Sequence, residues 1–373
     1  MKKKLLFIIN SLGGGGAEKA LIEFLRHVDC TRYDVSLCLV FNEGCYLNDV
    51  PAGVRVFSLY DREWNFVHRK SQKLYRKHGL RTLLRLRARR KIRGRYDAIV
   101  SFLEGDALLI HDMVRDRARR NIAWVHCDLR LFHWTRKTFR SDDDERGAYG
   151  RMDTVVFCSH ITKESFERMY RIETPKTVIY NIIDCDTIRR QADALEVPHE
   201  GFTVTAVGSL SEVKCHDRLI RVARMFGDAG YRLRFQIVGA GALKEPLERL
   251  RDELGLQDSV RFLGFCKPPY PFMKASDVFV STSRSEAASL VLCEAMALGV
   301  PIVATRTGAS EEFLGADEYG IVTGHSDEEI FEGLRRMADD ETLRTHYRTQ
   351  GFQRIGLFSA EQSISRFEAL LEP

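Results

Sequence analysis

Short apolar runs separated by amphipathic segments mark the first half of the chain, and this pattern predicts strands that alternate with helices. In each run nearly every position is apolar, as in strands buried on both faces of a parallel sheet. The predicted strands are KKLLFII at 3–9, DVSLCLVF at 34–41, VRVFSL at 54–59, DAIVSFL at 97–103, RNIAWVH at 120–126 and DTVVFCS at 153–159. The alternation indicates an α/β fold, in which helices cover both faces of a parallel sheet.

The alternation stops over a polar stretch, 184–201, and starts again in the second half. This stretch contains Pro198 and Gly201, so we interpret it as a linker. After it, strands are predicted at 202–210, 232–242, 260–265, 277–283 and 301–305, and helices at 216–226, 243–255, 269–276 and 286–299. We therefore expect two doubly wound domains, at 1–185 and 186–355, with a C-terminal helix at 356–373 that packs back on the first.

The length and composition agree with two cytoplasmic domains. A chain of 373 residues is long enough for two cores. Its nine cysteines form no C-x-x-C pair, which favours reduced thiols over disulfides or zinc sites. The apolar core of the N-terminal segment, residues 5–9, is shorter than that of a signal peptide, and no apolar run reaches the length of a membrane span. We expect a soluble or peripheral protein.

The charge is distributed unevenly along the chain. The net charge is +5, and thirteen Lys and Arg without any acid lie between Glu63 and Asp97. Apolar residues are interleaved with these cations: Leu74, Leu80, Leu83, Leu84 and Ile92. This pattern favours a basic amphipathic helix on anionic lipid at 67–95. A solvated helical face and nucleic-acid binding are the alternatives, and no nucleic-acid-binding motif accompanies the basic residues.

Four consecutive glycines, residues 13–16, connect the first strand to the first helix. Bare backbone N–H groups at a helix N-terminus favour an anion such as phosphate. The spacing matches neither a P-loop nor the dinucleotide fingerprint G-x-G-x-x-G. The glycines thus predict either an unassigned phosphate site or a flexible turn without a ligand.

The strongest local signal lies at 283–312, where two carboxylates are eight residues apart. Glu286 and Glu294 would share one side of a helix at this spacing. The helix dipole alone can explain an acid at a helix start, as with Glu286. Glu294 lies inside an otherwise apolar segment and requires a polar partner, for which a pair of sugar hydroxyls is suitable.

These residues resemble the retaining nucleotide-sugar glycosyltransferases of family 4, which have the GT-B fold. The family signature is Glu, seven residues, Glu, then a segment that appears here as AMALGVPIVAT, and a later GASE. Matching segments elsewhere are SLGGGGAEKAL, WVHCDL, VIYNIID, VGSLSEVKCHDRLI, IVGAGALKEPLERL and VRFLGF. The resemblance spans essentially the whole chain and implies two Rossmann-like domains that face each other across a cleft.

The resemblance implies roles for individual residues. Gly15 and Gly16 would let the donor diphosphate or sugar approach the first helix. His126 would lie near the sugar and the reaction centre. The segment from Gly264 to Cys266 would lie beside the base.

Further implied roles concern the donor site in the second half. Lys214 would pair with the donor diphosphate, and Glu286 would contact the transferred sugar. Glu294 would hold the ribose hydroxyls, while the backbone amides near Ser289 and Leu290 would meet the β-phosphate. Among all these residues, the resemblance implies that three are catalytic: His126, Lys214 and Glu286.

Three positions depart from the family pattern. Ser209 stands where the family usually has an arginine of the donor site, so another basic residue must replace that charge or diphosphate binding is weaker. Cys215 replaces the glycine that follows the lysine, which we interpret as a milder change. Ala287, Ala288 and Ser289 replace a frequent G-F-x, which can reshape the sugar pocket.

The function implied is transfer of a sugar from a nucleoside diphosphate sugar to an acceptor hydroxyl, with retention of the anomeric configuration. No cofactor or obligatory metal is expected, and DDDE at 142–145 is interpreted as a solvated loop.

The basic segment 67–95 favours a lipid-linked glycan as the acceptor, at the inner face of a bacterial membrane and in cell-surface polysaccharide synthesis. No nucleic acid is expected as a partner. The alternatives are a catalytically silent GT-B nucleotide-sugar-binding protein and an epimerase of the same fold. A phosphorylase of this fold is a weaker alternative, because we find no lysine in sequence surroundings that would bind pyridoxal.

Overall fold

The computed structural model describes residues 2–63, 65–199 and 201–372, which divide into two units with one parallel sheet each. Unit 1 comprises Met1–Ile182 and Ala360–Pro373, and unit 2 comprises Ile183–Ser359. In both sheets the strand order runs outward in two directions from the first strand of the unit, as in doubly wound folds. The prediction of two doubly wound α/β units is confirmed.

The sheet of unit 1 has the strand order β3-β2-β1-β4-β5-β6-β7 in the described residues. Its strands are β1 (Lys3–Ile9), β2 (Tyr33–Phe41), β3 (Arg55–Tyr60), β4 (Tyr96–Ser101), β5 (Ala118–Val125), β6 (Thr154–Phe157) and β7 (Lys176–Val178). The helices that precede residue 183 are α1 (Gly16–His27), α2 (Phe66–His78), α3 (Thr82–Lys91), α4 (Asp106–Val114), α5 (Asp142–Gly150) and α6 (His160–Met169).

Side chains that alternate along β1 belong to two different cores, one on each face of the sheet. Leu6 and Ile8 pack into one core, and Leu5, Phe7 and Ile9 into the other. This alternation follows from the two-residue period of a strand and explains why the run is continuously apolar.

In unit 2 the strand order is β10-β9-β8-β11-β12-β13 over the described residues. The strands are β8 (Thr203–Val207), β9 (Arg234–Val238), β10 (Val260–Gly264), β11 (Val278–Ser281), β12 (Ile302–Thr305) and β13 (Ile321–Thr323). The helices are α7 (Cys185–Ala192), α8 (His216–Asp228), α9 (Lys244–Glu253), α10 (Tyr270–Lys274), α11 (Leu290–Leu298), α12 (Gly308–Leu314), α13 (Asp327–Asp339) and α14 (Glu341–Arg354).

The last helix, α15 (Ala360–Leu370), returns to unit 1. The Phe367 ring lies with its centroid 5.1 Å from that of Phe24 and 5.9 Å from that of Phe7. These aromatic contacts bury the apolar side of α15 in the core beneath β1 and α1. The final helix therefore completes the core of unit 1.

The interpretation of 184–201 as a linker is wrong for its first half, which forms α7. The Asp184 carboxylate caps this helix by accepting from the Thr187 amide at 2.9 Å. Ile188 and Ala192 are buried, and Arg189 donates to the Ala297 carbonyl at 2.9 Å. Tertiary packing in unit 2 thus stabilises a helix whose own sequence is mostly polar.

The interpretation of 142–145 as a solvated loop is also wrong, because these residues open α5. The Ser141 hydroxyl accepts from the Asp144 amide at 3.2 Å, and the acids lie in the first turn, where the helix dipole stabilises them. Glu145 is fully buried and accepts from the Thr135 hydroxyl at 2.9 Å. It is also 2.9 Å from the His133 imidazole. An acid-rich helix start resembles a loop when only its composition is considered.

The basic segment 67–95 forms two helices rather than one. Gly79 ends α2 in the left-handed region, with a φ of 72°. Leu84 and Ile92 are buried in the core, whereas Leu80 and Leu83 are exposed. The apolar residues of this segment are therefore divided between the core and the surface. Within the described residues, no helix is long and apolar enough to cross a bilayer.

Candidate active site

The glycine turn of unit 1 ends where α1 begins, with Gly15 at the N-cap and Gly16 as the first helical residue. The chain's own Glu18 carboxylate lies at this helix start, so close that a Cβ atom on Gly15 would be 2.4 Å from its Oε2. Burial raises the pKa of Glu18, and the Glu18 and Gly15 amides oppose this rise. The helix start, for which the glycines predict either a phosphate site or a turn without a ligand, thus already holds an acid of the chain.

His126 follows β5 at the carboxyl edge of the sheet, where ligands of such folds bind. Its ring lies against Phe102, with the centroids 4.7 Å apart, and is stacked at 6.0 Å on Trp124. Burial lowers the pKa of the His126 imidazole to about 3, so the ring is neutral near pH 7. Its Nε2 has no hydrogen-bond partner in the described part of the chain. The Nε2 atom of a neutral imidazole can accept or donate one hydrogen bond, depending on the tautomer, and the ring carries no charge.

Glu104 is a residue of this edge that the sequence analysis missed. Its carboxylate is fully buried, and Oε1 accepts from the amides of His126 at 2.6 Å and Cys127 at 2.7 Å. Burial raises the pKa of Glu104 to about 7 against the effect of these two amides. Its Oε2 has no partner among the described residues. Glu104 follows β4, which pairs with β5, so the ends of two adjacent strands place this carboxyl beside the backbone of His126.

In unit 2 the loop between β8 and α8 carries Lys214. Its methylene groups lie against Gly208, where an added Cβ would be 3.2 Å from Cε. Gly208 is also approached closely by Gly239, since a Cβ on Gly239 would lie 1.8 Å from the Gly208 carbonyl oxygen. This backbone contact at the ends of β8 and β9 fixes the surface along which Lys214 extends.

Lys214 forms an ion pair with Glu286, and the Ser283 hydroxyl donates to the same carboxylate oxygen at 2.8 Å. The Ala309 amide donates to the Glu286 carbonyl at 3.1 Å and holds the backbone at that position. The structure therefore brings together two of the residues that the resemblance singles out, Lys214 and Glu286.

The prediction that Glu286 and Glu294 share one helix is wrong. The helix α11 begins at Leu290, and Glu286 lies in the loop that follows β11. The N-cap is Ser289, whose hydroxyl makes no capping bond and is buried without a partner within the described residues. The first amides of α11, near Ser289 and Leu290, have no acceptor within the helix and can bind an anion.

Glu294 is 2% exposed in α11. The Tyr270 hydroxyl donates to its Oε1 at 3.3 Å, so the polar partner that the sequence requires is present in unit 2 itself. A ribose hydroxyl that donates to Glu294 would therefore be a second hydrogen-bond donor beside Tyr270, and not the first donor to a carboxylate without one.

The segment predicted to lie beside the base follows β10. Gly264 has a φ of 72°, and a Cβ there would meet nothing within 4 Å. Its carbonyl accepts from the Gly239 amide at 2.8 Å. Cys266 is half-buried, and burial raises the pKa of its thiol. The backbone of this segment is thus anchored to the neighbouring strand end, while the space beside Gly264 is open.

Ser209, which occupies the place of the family arginine, makes a hydrogen bond of 3.0 Å between its hydroxyl and that of Ser211. His216 lies at the end of the same loop, but burial and the Lys214 charge lower its pKa to about 4. Neither residue therefore supplies the missing positive charge at neutral pH, and Lys214 is the cation of the loop 208–216.

Cys215 is the N-cap of α8 in the left-handed region, with a φ of 48°. The glycine that the family places here suits this conformation, whereas a cysteine is strained in it. The replacement of the family glycine by Cys215 is therefore a small change in side-chain size but strains the backbone conformation at this position.

Two family models match the chain. The model described as glycosyltransferase family 4 matches residues 14–187, and the model described as glycosyl transferases group 1 matches residues 187–354. Unit 1 and unit 2 thus each have a counterpart among known glycosyltransferase domains.

Two curated relatives are similar over part of the chain. One is N-acetylgalactosamine-N,N'-diacetylbacillosaminyl-diphospho-undecaprenol 4-alpha-N-acetylgalactosaminyltransferase of Campylobacter jejuni, 33% identical over 56% of this chain and 57% of the relative. The other is the lipopolysaccharide core biosynthesis glycosyltransferase LpsE of Rhizobium meliloti, 26% identical over 71% of this chain and 81% of the relative. The chain therefore spans little more than half of the first relative.

Among solved structures, HepE of Anabaena in complex with UDP and glucose superimposes with a TM-score of 0.79. The comparison covers 100% of both chains at 21% sequence identity. At this identity the likeness establishes the fold, which is GT-B.

Proposed function

We propose that this chain, which belongs to the family 4-like glycosyltransferases, moves a sugar from a nucleoside diphosphate sugar to an acceptor hydroxyl with retention of the anomeric configuration. The observation that carries this proposal is the Lys214–Glu286 ion pair at the carboxyl edge of the unit 2 sheet. The cation is linked to a carboxylate that an incoming diphosphate can replace.

The bond to be broken joins the anomeric carbon to the donor diphosphate, and negative charge grows on the departing oxygen. Lys214 is the cation of its loop, and its side chain is 22% exposed, so it can turn from Glu286 to the diphosphate. The first amides of α11 near Ser289 and Leu290 supply uncharged donors to the same group. Groups aimed at developing charge stabilise the transition state more than the ground state.

When Lys214 turns to the diphosphate, Glu286 is left with the Ser283 hydroxyl as its donor. Its carboxylate can then accept hydrogen bonds from hydroxyl groups of the transferred sugar. Glu294 would bind the ribose hydroxyls beside Tyr270, and the segment from Gly264 to Cys266 would lie beside the base. In unit 1, the neutral His126 would bind the sugar near the reaction centre, and the turn at Gly15 and Gly16, where Glu18 lies, would face the sugar rather than the diphosphate. These groups require no cofactor or metal.

We propose a lipid-linked glycan as the acceptor, in bacterial cell-surface polysaccharide synthesis at the inner face of the cytoplasmic membrane. The names of the relatives from C. jejuni and R. meliloti refer to a diphospho-undecaprenol substrate and to lipopolysaccharide core biosynthesis. The surface of α2 and α3 supports the same proposal. Exposed apolar side chains lie there among exposed cations: Phe66, Val67, Leu83 and Leu86 among Lys70, Lys73, Lys77 and Arg85.

Cosedimentation with vesicles tests the membrane part of the proposal. We expect binding to anionic but not to zwitterionic vesicles, reversed by high salt. The triple change Lys73→Glu, Lys77→Glu and Arg85→Glu should abolish this binding. Arg89 is unsuitable for the test because it pairs with Asp116 at 2.8 Å. Equal binding of the parent to both kinds of vesicle, or to neither, would contradict an anionic membrane partner.

A panel of nucleoside diphosphate sugars tests the donor part. The true donor should raise the unfolding temperature, because a ligand that binds only the folded state stabilises it. Radiolabelled donor should then yield a labelled acceptor. A donor that binds without transfer would favour the silent GT-B protein, an alternative that Ser209 in place of the family arginine supports. Conversion of the donor to an epimer would favour the epimerase.

A further inference from the structure

A cavity lies in unit 1, at the opposite edge of the sheet from His126 and the glycine turn. It has a volume of about 260 Å³ and is lined near the amino ends of the strands by Lys4, Asp34, Arg55, Arg93, Arg95 and Tyr96, among others. The candidate active site uses the carboxyl ends of the same strands, so the cavity is separate from the predicted donor-site residues, although Arg93 and Arg95 belong to the end of the basic segment 67–95.

The way the helices end explains why this part of the sheet is uncovered. Lys4 precedes Leu6 and Ile8 on one face of β1, and both of these pack into the core that also contains Ile92. The helix α3 ends at Lys91 and its C-cap is Ile92, so the chain turns back to β4 before it covers the amino ends of the strands. The loop of Arg93, Gly94 and Arg95 forms the wall of the space that remains.

Four cations and one acid face this cavity. Within the described residues, none of the four cations forms an ion pair with a carboxylate. Arg55 donates to the Ser36 hydroxyl at 2.9 Å, and Arg93 donates to the Arg90 carbonyl at 2.9 Å. Four cations that share one cavity with the single acid Asp34 leave an excess of positive charge, and a bound anion would offset their repulsion.

The Tyr96 side chain adds a neutral donor to the cavity. It is 6% exposed, and burial raises the pKa of its phenol against the effect of the nearby Arg55 charge. The phenol therefore keeps its proton near neutral pH, and Arg55 lies close enough to influence it. Arginine side chains match the oxygens of phosphate in a bidentate way.

We propose that this cavity binds a phosphate-bearing anion the size of a phosphomonoester or a diphosphate, held by Lys4, Arg55, Arg93 and Arg95. The volume is below the roughly 300–1,000 Å³ of pockets that enclose a whole small molecule. It therefore suits a phosphate group better than a complete nucleotide sugar. The phosphate can belong to a soluble anion or to the headgroup of a lipid.

Calorimetric titration with inorganic pyrophosphate tests the site. The parent protein carries Lys214→Ala, so that diphosphate binding at the proposed donor site does not contribute. The cavity variant adds Arg55→Gln, Arg93→Gln and Arg95→Gln. The control variant adds Arg232→Gln, Arg249→Gln and Arg336→Gln, which remove the same charge from exposed positions of unit 2.

We expect saturable binding by the parent, a loss of about tenfold or more in the cavity variant, and a loss of less than about twofold in the control variant. If the cavity variant does not fold, the single change Arg95→Gln should still lower the affinity about threefold or more. Equal losses in the cavity and control variants, or no saturable binding by the parent, would overturn the proposal. Because Lys214 is absent throughout, the result does not depend on the proposed sugar transfer.

Vesicles distinguish the two sources of phosphate. Vesicles that contain phosphatidic acid are compared with vesicles that contain phosphatidylserine. The two kinds of vesicle have the same surface charge. A preference for phosphatidic acid that disappears in the cavity variant assigns the site to a lipid phosphomonoester. Equal binding to both vesicles, together with pyrophosphate binding that requires the cavity, assigns it to a soluble anion.

Discussion

The two units place chemically different groups at the carboxyl edges of their sheets. Unit 2 presents a charged pair, Lys214 and Glu286, whose side chains are 22% and 14% exposed. Unit 1 presents a fully buried carboxyl, Glu104, and an imidazole, His126, whose pKa is about 3. The charged pair can exchange partners with an anionic ligand, whereas the Glu104 carboxyl is buried and holds the backbone of His126 and Cys127, and the His126 ring is neutral. We infer that unit 2 responds to charge on the donor and unit 1 provides fixed geometry.

The largest effect is expected from Lys214→Ala. Charge on the leaving diphosphate grows in the transition state, so turnover should fall by roughly 10²–10³ while donor affinity changes less. Steady-state kinetics compared with donor titration separates the two quantities. Lys244→Ala, which removes an exposed lysine from α9 in the same unit, serves as the control. A rise in KM with turnover intact would mean that Lys214 only binds the donor.

Glu104→Gln tests the buried group of unit 1 through stability. Because the pKa of Glu104 is about 7 in the folded chain and near 4.5 when unfolded, its protonated form favours folding. The contribution is complete below about pH 4.5 and is lost as the pH rises towards 7, with a total of roughly 3 kcal/mol. Glutamine keeps the acceptor without the charge, so the variant should become more stable than the wild type between pH 5 and 8.

Urea denaturation at several pH values measures this difference. The neutral His126 and His216 shift stability in the opposite direction, since their lowered pKa values destabilise the folded state as the pH falls below about 6.5. Both variant and wild type contain these histidines, so the difference isolates Glu104. Glu167→Gln on α6 should show no such dependence. A pH-independent difference for Glu104→Gln would show that its carboxyl is not desolvated.

Glu294→Gln should weaken donor binding by roughly 1.5–3 kcal/mol and leave the fold intact, because a charged acceptor of the ribose hydroxyls is lost. Calorimetric titration with the donor measures the change. Tyr270→Phe removes the hydroxyl that donates to Glu294 and should have a smaller effect, and Glu253→Gln on α9 should have none. Unchanged affinity in Glu294→Gln would exclude this residue from the donor site.

The smallest effect is expected from Cys215→Gly. Relief of the left-handed strain at Cys215, worth about 1 kcal/mol, opposes the loss of a small buried side chain. The free energy of unfolding should therefore change by less than about 1 kcal/mol, whereas Cys215→Val should be clearly destabilising. Urea denaturation decides this, and a stable Cys215→Val variant would contradict the strained backbone.

The sequence predicted the strands well because buried parallel strands are continuously apolar, as β1 is. Helices with a polar sequence, α5 and α7, were mistaken for a loop and a linker, since only tertiary contacts reveal their buried side. The helical pattern of 286–299 also hid the true start of α11, because alanines at 287 and 288 suit a helix as well as they suit the loop.

Different signals account for what was found and missed at the site. Lys214 and Glu286 were identified from the family resemblance, and the structure adds that they touch each other. Glu104 carries no motif, and its importance depends on a hydrogen bond to the backbone of a residue 22 positions away. A lone carboxylate directly after a buried strand was the available signal.

The configuration of the product tests the central claim, retaining transfer, most directly. The donor found in the panel is supplied to the wild-type chain with its acceptor, and proton NMR records the anomeric coupling of the product before it equilibrates. An α-linked donor should give an α-linked product, and Lys214→Ala should form the same product more slowly. A β-linked product from an α-linked donor would contradict the account.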